Sequence, residues 1–447
     1  MIENVRGKIK NKSAKICIIG LGYVGLPTAV FFAEKGFDVT GVDIDINKVN
    51  LVNSGNSPLN ELKLDVRMKI VIENEKLRAT TDITAAVAYS DVILIIVPTP
   101  LTDAKEPDLS YIKLAAEDIS KSIHKGQLII LESTSYPGTT EEVLKPILEK
   151  SGLLAGIDFG LAYCPERYNP GDSDHTLENV ARVVGGITPE WGEITKELYQ
   201  NIINEPVIQV KNIITAEAAK IIENIQRDLN IALMNELALI FERMNIDIIE
   251  VIEAASTKWN FIKYSPGPGV GGHCLPVDPY YLTKRAQELG YHAQVILAGR
   301  KVNDDMPLHV FELVQGGLNE IGKPLKNSKI MVLGAAYKAN TADLRNSPTE
   351  ILVKKLKQQG ANVLIIEPNV NHGEIFGCAN ISINLNKMID IDCIVFMVNH
   401  SEFRDINLRK LKGNGNPIFI DGCRAFEPSE ILEAGFIYKG IGAGGWN

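Results

Sequence analysis

The fold of the first part of the chain follows from the run Lys15-Ile16-Cys17-Ile18-Ile19-Gly20-Leu21-Gly22-Tyr23-Val24-Gly25. Its first five residues are almost wholly apolar, as is typical of a short, buried parallel strand. The spaced glycines allow a tight turn and a close approach of the backbone to a pyrophosphate, and an apolar helix, Leu26 to Lys35, follows at once. Strand, glycine motif and helix in this order predict a dinucleotide-binding unit.

A second strand, Asp38 to Val42, ends at an acid, Asp43. An acid in this place hydrogen-bonds the ribose hydroxyls of NAD and repels the extra phosphate of NADP. Lys48 is expected near the adenosine, where it weakens that preference. This part of the chain therefore predicts NAD as the cofactor, held by Gly20, Gly22, Tyr23, Val24, Gly25, Asp43 and Lys48.

The alternation of strands and turns continues with apolar strands at 91–97, 127–131 and 159–163. Open α/β sheets bind ligands at the carboxyl ends of their strands, so the residues that follow these strands are candidate contacts. Thr99 and Thr134 are expected to contact cofactor or substrate, although capping the next helix is an equally open role. Glu166 and Arg167 are either a surface ion pair or part of the site.

A lone cysteine lies in the loop Gly267-Pro268-Gly269-Val270-Gly271-Gly272-His273-Cys274-Leu275-Pro276-Val277-Asp278. The glycines remove side chains that would keep the backbone away from a ligand, and they permit backbone angles closed to other residues. The loop therefore predicts a reactive Cys274 with an acid, Asp278, four residues on. The alternative is a tight turn that carries an inert, buried thiol.

A long helical pattern runs from Thr215, a candidate N-cap, to about Met244. Lys220, Asn224 and Arg227 follow one another at helical spacing and share a face. Such a stripe is either solvated surface or, in a helix buried on most sides, a set of charges that needs an anionic partner. The same helix is a candidate dimer spine.

The C-terminal third predicts a second parallel sheet, with strands at 329–334, 363–366, 393–398 and 417–420 and a helix near 349–359. Lys338, Arg345 and Arg424 each follow one of its strands. Arginine carries a fork of donors suited to phosphate, so these basic groups are candidate phosphate contacts. The predicted fold class is therefore α/β, with two Rossmann-like parallel-sheet domains joined by a long central helix.

The composition limits the possible functions. The 447 residues are 45% hydrophobic and 23% charged, which is typical of a globular protein of two or three domains. A net charge of −9 argues against a nucleic-acid partner. The six cysteines have no regular spacing, which favours reduced thiols in the cytoplasm over disulfides or a metal site. No apolar run is long enough for a membrane span, and no signal peptide is expected.

The motifs together resemble the UDP-glucose/GDP-mannose dehydrogenase family along nearly the whole chain, from Lys15 to about Phe426. The matching motifs are the runs 20–25, 132–134, 165–167, 220–224, 271–274 with Asp278, and 337–345. The resemblance implies a domain for NAD at 1–205, a central helical domain with the cysteine loop at 206–315, and a UDP-sugar domain at 316–447. It also implies a homodimer or higher oligomer, formed through the long helix.

The resemblance further implies oxidation of a sugar C6 hydroxyl to a carboxylate in two hydride transfers. Cys274 would trap the aldehyde, Lys220 and Asn224 would stabilise the oxyanion, and Asp278, Glu166 and Thr134 would hold or deprotonate the hydrolytic water. Arg345 would contact a cofactor phosphate from another domain or subunit. The implied substrate contacts are Glu166, Arg167, Tyr168, Lys220, Asn224, Arg227, Gly271, Lys338 and Arg424.

Within the family, Pro170 stands where the UDP-glucose branch has a second glutamate, and Arg167 and Arg227 resemble the branch that oxidises UDP-N-acetylhexosamines. UDP-N-acetylglucosamine, used in capsule and O-antigen synthesis, is the expected substrate. UDP-N-acetylmannosamine, UDP-N-acetylgalactosamine and UDP-glucose remain alternatives. A one-step 3-hydroxyacid dehydrogenase would have no use for Cys274, and a nucleotide-sugar sensor could lose it.

Overall fold

The computed structural model describes residues 2–59, 62–102, 104–167, 176–370, 373–381, 391–404, 406–411 and 416–446. The chain divides into two compact units, Met1–Glu223 with Tyr280–Tyr291, and Asn224–Pro279 with His292–Asn447. Each unit has its own parallel sheet and apolar core, so the predicted α/β class with two Rossmann-like sheets is confirmed. The finer division into three domains stays a prediction.

The first unit holds an eight-stranded sheet in the order β3-β2-β1-β4-β5-β6-β7-β8. Neighbouring strands are parallel, except β6 and β7. The strands are β1 Lys15–Ile19, β2 Asp38–Val42, β3 Leu77–Thr80, β4 Val92–Ile95, β5 Leu128–Leu131, β6 Gly160–Tyr163, β7 Arg182–Gly186 and β8 Val207–Gln209.

The helices that begin in this unit before the long helix are α1 Ile2–Lys10, α2 Gly25–Glu34, α3 Ile46–Asn53, α4 Leu62–Glu73, α5 Ile83–Tyr89, α6 Ser110–Ser120, α7 Lys145–Leu148 and α8 Pro189–Tyr199. Helix α2 is buried from Gly25 to Ala33, because its apolar side chains pack into the core of the unit. Ile19 pairs with Val42 and with Ile95, so β1, β2 and β4 end at the same edge of the sheet. That edge is where the glycine loop and Asp43 emerge.

The long helix α9, Ile213–Arg243, continues along the chain from the first unit into the second. It was expected to begin at Thr215, but this prediction is wrong. Asn212 accepts hydrogen bonds from the backbone N–H of Thr215 (2.9 Å) and from its hydroxyl (2.6 Å), so Asn212 caps the helix. After α9 come α10 Ile248–Ser256, α11 Asp278–Glu288 and α12 Gln294–Glu320.

The second unit holds a five-stranded parallel sheet in the order β10-β9-β13-β14-β15. Its strands are β9 Lys329–Leu333, β10 Asn362–Ile366, β13 Cys393–Phe396, β14 Ile418–Asp421 and β15 Ile437–Gly440, and β11 Glu374–Ile375 with β12 Cys378–Ala379 forms a small antiparallel pair. The helices are α13 Pro348–Gln358, α14 Leu408–Leu411 and α15 Pro428–Glu433. Leu333 pairs with Ile366 and Phe396, so β9, β10 and β13 also end together.

Across the described ranges, we find no helix with the length and apolar character that a membrane crossing requires.

Candidate active site

The glycine loop of the first unit is shaped by backbone contacts. Gly20 has φ +99°, and a Cβ there would lie 2.2 Å from the carbonyl oxygen of Ile96. A Cβ on Gly25 would lie 1.8 Å from the carbonyl oxygen of Gly20. A Cβ on Gly22 would instead meet no atom within 4 Å. The first and third glycines therefore close the turn, whereas the second leaves open space of the kind a pyrophosphate needs.

The neighbourhood of this loop also fits a dinucleotide. Helix α2 has no side-chain cap at its N-terminus, which leaves its first turn to attract an anion. Asp43 lies beside the loop, because its carboxylate accepts from the backbone N–H of Leu21 (3.0 Å) and of Asp45 (3.0 Å). Lys48 does lie near this acid, with its ammonium 3.1 Å from the Asp43 carboxylate. NAD is therefore the cofactor that this geometry accommodates.

The loops after β4 and β5 carry the two threonines. The carbonyl oxygen of Thr99 accepts from the hydroxyl of Tyr281 (3.0 Å). Thr134 is half-buried and precedes a loop that Glu217 of α9 holds in place. The Glu217 carboxylate accepts from the backbone N–H groups of Gly138 (2.6 Å) and Thr140 (2.9 Å), and burial raises its pKa to about 6. Glu217 thus ties the Thr134 loop to the long helix one turn before Lys220.

Glu166 lies in a buried cluster of charges that the sequence analysis did not include. One carboxylate oxygen accepts from the backbone N–H of Arg167 (2.6 Å), and the other accepts from the guanidinium of Arg182. Arg182 is fully buried, and it also lies 3.6 Å from the carboxylate of Glu132. Of the residues in this cluster without a predicted role, only Glu132 belongs to a sequence motif, the run 132–134.

The guanidinium of Arg167 is engaged in an ion pair with Glu223. Its Nε lies 3.0 Å from one oxygen of Glu223 and 3.1 Å from the other, and its Nη1 donates to the carbonyl oxygen of Ala181 (2.7 Å). For Arg227 the structure favours the solvated alternative, because its side chain is exposed in the single chain. Tyr168 lies outside the described residues.

Lys220 is the buried cation of the long helix. Only 9% of it is exposed, and no hydrogen bond or ion pair of its ammonium is found among the described residues of its unit. A buried ammonium without a partner is costly, so the site favours an anion beside Lys220. Asn224, one helical turn later, is also buried.

In the second unit, glycines let the cysteine loop pack tightly against the loop after β9. A Cβ on Gly271 would lie 2.8 Å from Cβ of Tyr337 and 2.8 Å from the carbonyl oxygen of Asn346. Gly272 has φ +93°, and a Cβ there would lie 2.9 Å from the ring of Tyr337. These glycines were expected to make room for a substrate. Within this unit they make room for its own backbone and aromatic side chain.

Cys274 differs from most of the other cysteines in its exposure. It is half-buried, as is Cys423, whereas Cys17, Cys164, Cys378 and Cys393 are buried. The carbonyl oxygen of Cys274 accepts from the backbone N–H of Asp278 (2.8 Å). The Asp278 carboxylate accepts from the amide of Asn224 (2.5 Å). Three predicted catalytic residues are thus joined in one unit.

The start of the cysteine loop is anchored by a buried polar network that was not predicted. Asn235 accepts from the backbone N–H of Gly267 (2.8 Å) and donates to the side chain of Asn303 (2.9 Å). Asn303 in turn donates to the carboxylate of Asp228 (2.8 Å), which also accepts from Arg300 (2.5 Å). The network links α9 and α12 to the loop.

A pocket lies at the carboxyl ends of β9, β13 and β14. Its walls include Pro268 and Gly269 of the cysteine loop, and the segments 336–339 and 397–399. Lys338 lines it, as expected for a phosphate contact. Arg424 is not among the residues that line this pocket. Its buried guanidinium instead donates to the carboxylate of Asp247 (2.7 Å) and to the carbonyl oxygen of Ile441 (3.1 Å).

Arg345 lies beside the cysteine loop. Its carbonyl oxygen accepts from the backbone N–H of Gly272 (3.3 Å), and its guanidinium pairs with Asp343 (2.6 Å).

Among the described residues, no cluster of His, Cys, Asp or Glu has the composition of a metal site.

A glycine loop with an acid at the next strand end, and a second nucleotide-type sheet with a cysteine loop at its pocket, define a dehydrogenase that uses a dinucleotide. Three family models extend this to nearly the whole chain. They describe the NAD binding domain (residues 14–203), the central domain (214–305) and the UDP binding domain (331–428) of one family. The chain belongs to the UDP-glucose/GDP-mannose dehydrogenase family and is an NAD-dependent oxidoreductase.

Relatives in sequence and structure agree with this assignment. Protein CapL of Staphylococcus aureus is 42% identical over 87% of this chain and 91% of its own length. The UDP-N-acetyl-D-glucosamine 6-dehydrogenase of Pseudomonas aeruginosa is 40% identical over 90% of this chain and 94% of its own. The solved UDP-D-ManNAc dehydrogenase of Pyrococcus horikoshii covers 96% of this chain and all of its own, at 34% identity and a TM-score of 0.87.

Proposed function

We propose that this enzyme oxidises the C6 hydroxyl of a UDP-N-acetylhexosamine, with UDP-N-acetylglucosamine as the first choice, to a carboxylate through a covalent intermediate on Cys274. The observation that carries the proposal is the half-buried Cys274 in a loop that also lines the pocket of the second unit, with Asp278 and Asn224 hydrogen-bonded behind it. This arrangement suits a thiol that must react with a ligand held by the same unit.

The reaction takes two oxidations and one hydrolysis. Bound NAD supplies the hydride acceptor of both oxidations. In the first, the C6 alcohol loses a hydride and a proton and becomes an aldehyde. The Cys274 sulfur then adds to the aldehyde carbon and gives a thiohemiacetal. This loses a second hydride and a proton and becomes a thioester, and water cleaves the thioester to a carboxylic acid and the free thiol.

The surrounding residues take distinct roles in these steps. The buried ammonium of Lys220 offsets the negative charge that develops on the C6 oxygen, and Asn224 adds a hydrogen-bond donor. Asp278, with Glu166 and Thr134 of the first unit, holds or deprotonates the hydrolytic water. Lys338 meets the diphosphate at the pocket.

The choice of sugar rests on the relatives. Similarity to a UDP-N-acetyl-D-glucosamine 6-dehydrogenase and to UDP-N-acetyl-D-mannosamine dehydrogenases supports a substrate with a 2-acetamido group and leaves its epimer open. Arg167 already uses three of its five N–H donors on Glu223 and Ala181, so the exposed Arg227 is the more accessible donor on the long helix.

A second copy of the chain is the proposed partner of the long helix. Ile222, Leu233, Ile240 and Met244 are exposed at helical spacing along and just beyond α9. Such an apolar stripe fits a homodimer. Light scattering should therefore find a dimer or larger assembly, and Leu233→Glu should shift it toward the monomer. A monomeric native enzyme would refute this.

The test of the whole proposal is NADH production from a panel of UDP- and GDP-sugars. We expect two NADH per sugar, and a kcat/KM for UDP-N-acetylglucosamine about 100-fold above that for UDP-glucose, on the scale of a lost polar contact. One NADH per sugar would indicate a simple alcohol dehydrogenase. Comparable rates on the two sugars would refute the acetamido specificity, and a preference for UDP-N-acetylmannosamine would change only the epimer.

The covalent step is tested by Cys274→Ser, with Cys378→Ser as the matched control. The Cys274 variant should bind NAD and UDP-sugar yet lose turnover, because an ester is far harder to hydrolyse than a thioester. The control should keep normal turnover, since Cys378 is buried outside the pocket lining. More than about a tenth of wild-type turnover in Cys274→Ser would exclude a nucleophilic role.

A further inference from the structure

The first unit contains a fully buried guanidinium between two carboxylates. Arg182, at the start of β7, donates to Glu166, lies 3.6 Å from Glu132, and also donates to the carbonyl oxygen of Pro165 (3.2 Å). The hydroxyl of Tyr199 donates to the second oxygen of Glu132, and its ring centroid lies 5.5 Å from the guanidinium carbon of Arg182. Charges this far from water are stable only when such partners surround them.

We propose that Arg182, Glu132 and Tyr199 are positioning residues that fix the orientation of the Glu166 carboxylate for hydrolysis of the thioester. The inference rests on the proposed function, because it requires Glu166 to act on the hydrolytic water. Both oxygens of Glu166 are held from the protein side, one by Arg182 and one by the backbone N–H of Arg167. A carboxylate that is held at both oxygens cannot turn away from the water it acts on.

The charge balance of the cluster explains why Glu132 matters for a group it does not touch. One guanidinium faces two carboxylates, so the cluster is negative when both carboxylates are ionised. Burial raises the pKa of Glu132 to about 7, Arg182 opposes that rise, and the charge of Glu166 adds to it. The other titratable groups near Glu132 are Tyr199 and the thiol of Cys164, and burial raises the pKa of both.

Glu132 faces the same guanidinium that donates to Glu166, so its ionisation acts on Glu166 through the position of Arg182. A neutral residue at 132 removes that pull on Arg182 at every pH. Glutamine is the suitable replacement, because it keeps the shape of Glu132, and its carbonyl can face Arg182 while its amide donates to the hydroxyl of Tyr199.

The experiment measures kcat against pH with saturating NAD and UDP-N-acetylglucosamine. The wild-type profile should show an inflection near pH 7, where Glu132 ionises, and Glu132→Gln should remove that inflection because glutamine stays neutral. Arg182→Lys keeps the charge but loses the fork of donors, and should lower kcat about tenfold or more with little change in KM. Glu117→Gln, on the exposed face of α6, is the matched control and should leave the profile unchanged.

A purely structural role predicts something different. It would lower the melting temperature of the variants but leave the inflection near pH 7 in place, and that result would overturn the proposal. Where Glu132→Gln fails to fold, Tyr199→Phe decides. It removes a hydrogen bond that favours the ionised form of Glu132, so it should move the inflection near pH 7 to higher pH.

Failure of the proposed function gives a different outcome. If Glu166→Gln hydrolyses the thioester at the normal rate, Glu166 is not the group that acts on water and its proposed role fails. If Glu166→Gln is slow while Glu132→Gln and Arg182→Lys keep wild-type kcat and pH profile, Glu166 keeps its role and only the positioning inference fails.

Discussion

Replacing Gly22 by alanine tests the cofactor site without disturbing the fold. Gly22 has no atom within 4 Å of the place its Cβ would take, and its φ is not in the left-handed region. The unliganded chain should therefore accept a methyl group at a cost within about 0.5 kcal/mol. If the open space is where the pyrophosphate lies, the same methyl group comes between the cofactor and the backbone.

The expected loss in NAD affinity follows from overpacking. One methyl group too many in a close-packed contact costs about 1–3 kcal/mol. Because the turn is locked on both sides by the contacts of Gly20 and Gly25, the loop cannot move away, and we expect a value near the upper end. About 2.7 kcal/mol corresponds to 100-fold weaker binding. Titration of NAD by calorimetry measures this directly, and a melting curve without NAD checks the fold.

Two matched variants separate the causes. Gly25→Ala should lower the melting temperature itself, because its Cβ would lie 1.8 Å from the carbonyl oxygen of Gly20. Gly7→Ala, on the exposed side of α1 with nothing within 4 Å, should change neither stability nor NAD affinity by much. An unchanged NAD affinity in Gly22→Ala would refute the assignment of this space to the pyrophosphate.

Four further outcomes are expected. The enzyme should prefer NAD, and Asp43→Ser should raise kcat/KM with NADP relative to NAD; equal values in the wild type would contradict the role of Asp43. Asn303→Ala should lower kcat about tenfold and change the alkylation rate of Cys274 without affecting the Kd for NAD, whereas an unchanged alkylation rate would show that the loop does not depend on this anchor. Asp228→Ala leaves the buried Arg300 short of a partner and should cost about 3 kcal/mol in denaturant unfolding; a loss below about 1 kcal/mol would show that water reaches the pair. Because burial raises the pKa of Glu132 from 4.5 to about 7, the stability tied to its protonated form is complete below about pH 4.5 and lost as pH rises through about 7. Over that pH window, the free energy of unfolding of the wild type should fall by roughly 3 kcal/mol relative to that of Glu132→Gln. Melting temperatures of the two proteins that change with pH in the same way would contradict this.

Most of the fold follows from short apolar runs bounded by glycine and acidic residues. The predicted strands around β1, β2, β4, β5 and β6, and those of the second sheet, are confirmed with shifts of a few residues at their ends. The strands β3, β7, β8 and β15 and the small pair β11 and β12 were not predicted. β7 begins with Arg182 and ends in two glycines, which reads as a turn, and β8 has only three residues. The buried Arg182 of β7 is stable only because Glu166 and Glu132 lie beside its guanidinium. No local sequence pattern around Arg182 indicates these partners.

The long helix shows how a correct period can select a wrong residue. Lys220 and Asn224 are buried, and the buried stripe continues through Asp228 and Asn235, while Arg227 is exposed. A helical face drifts by a fraction of a residue per turn, so spacings of seven and eight residues are both compatible with one face. Burial of Asp228 depends on Arg300 and Asn303, which lie about 70 residues later in α12. The polar residues of α9 were visible in the sequence, but nothing close to them indicated that Arg300 and Asn303 would be their partners.

Two acids in similar places show why local geometry alone does not identify a ligand site. Asp43 follows the second strand of the first sheet, and Glu367 follows β10 of the second. Each accepts from the backbone N–H of the loop after the neighbouring strand: Asp43 from Leu21, and Glu367 from Ala335 (2.7 Å) and Ala336 (2.9 Å).

Their remaining partners differ. Asp43 has Lys48, whose side chain is partly exposed, whereas Glu367 has the fully buried His400 at 3.0 Å. The backbone N–H of Asn340 donates to Nδ1 of His400, so the proton lies on Nε2 and is donated to Glu367. Glu367 is thus occupied by His400 and by the loop after β9, and we expect a nucleotide at the second sheet to use the pocket between 336–339 and 397–399 instead. The same fold thus supplies an acid beside the proposed cofactor site in one sheet and a buried support for its own loops in the other.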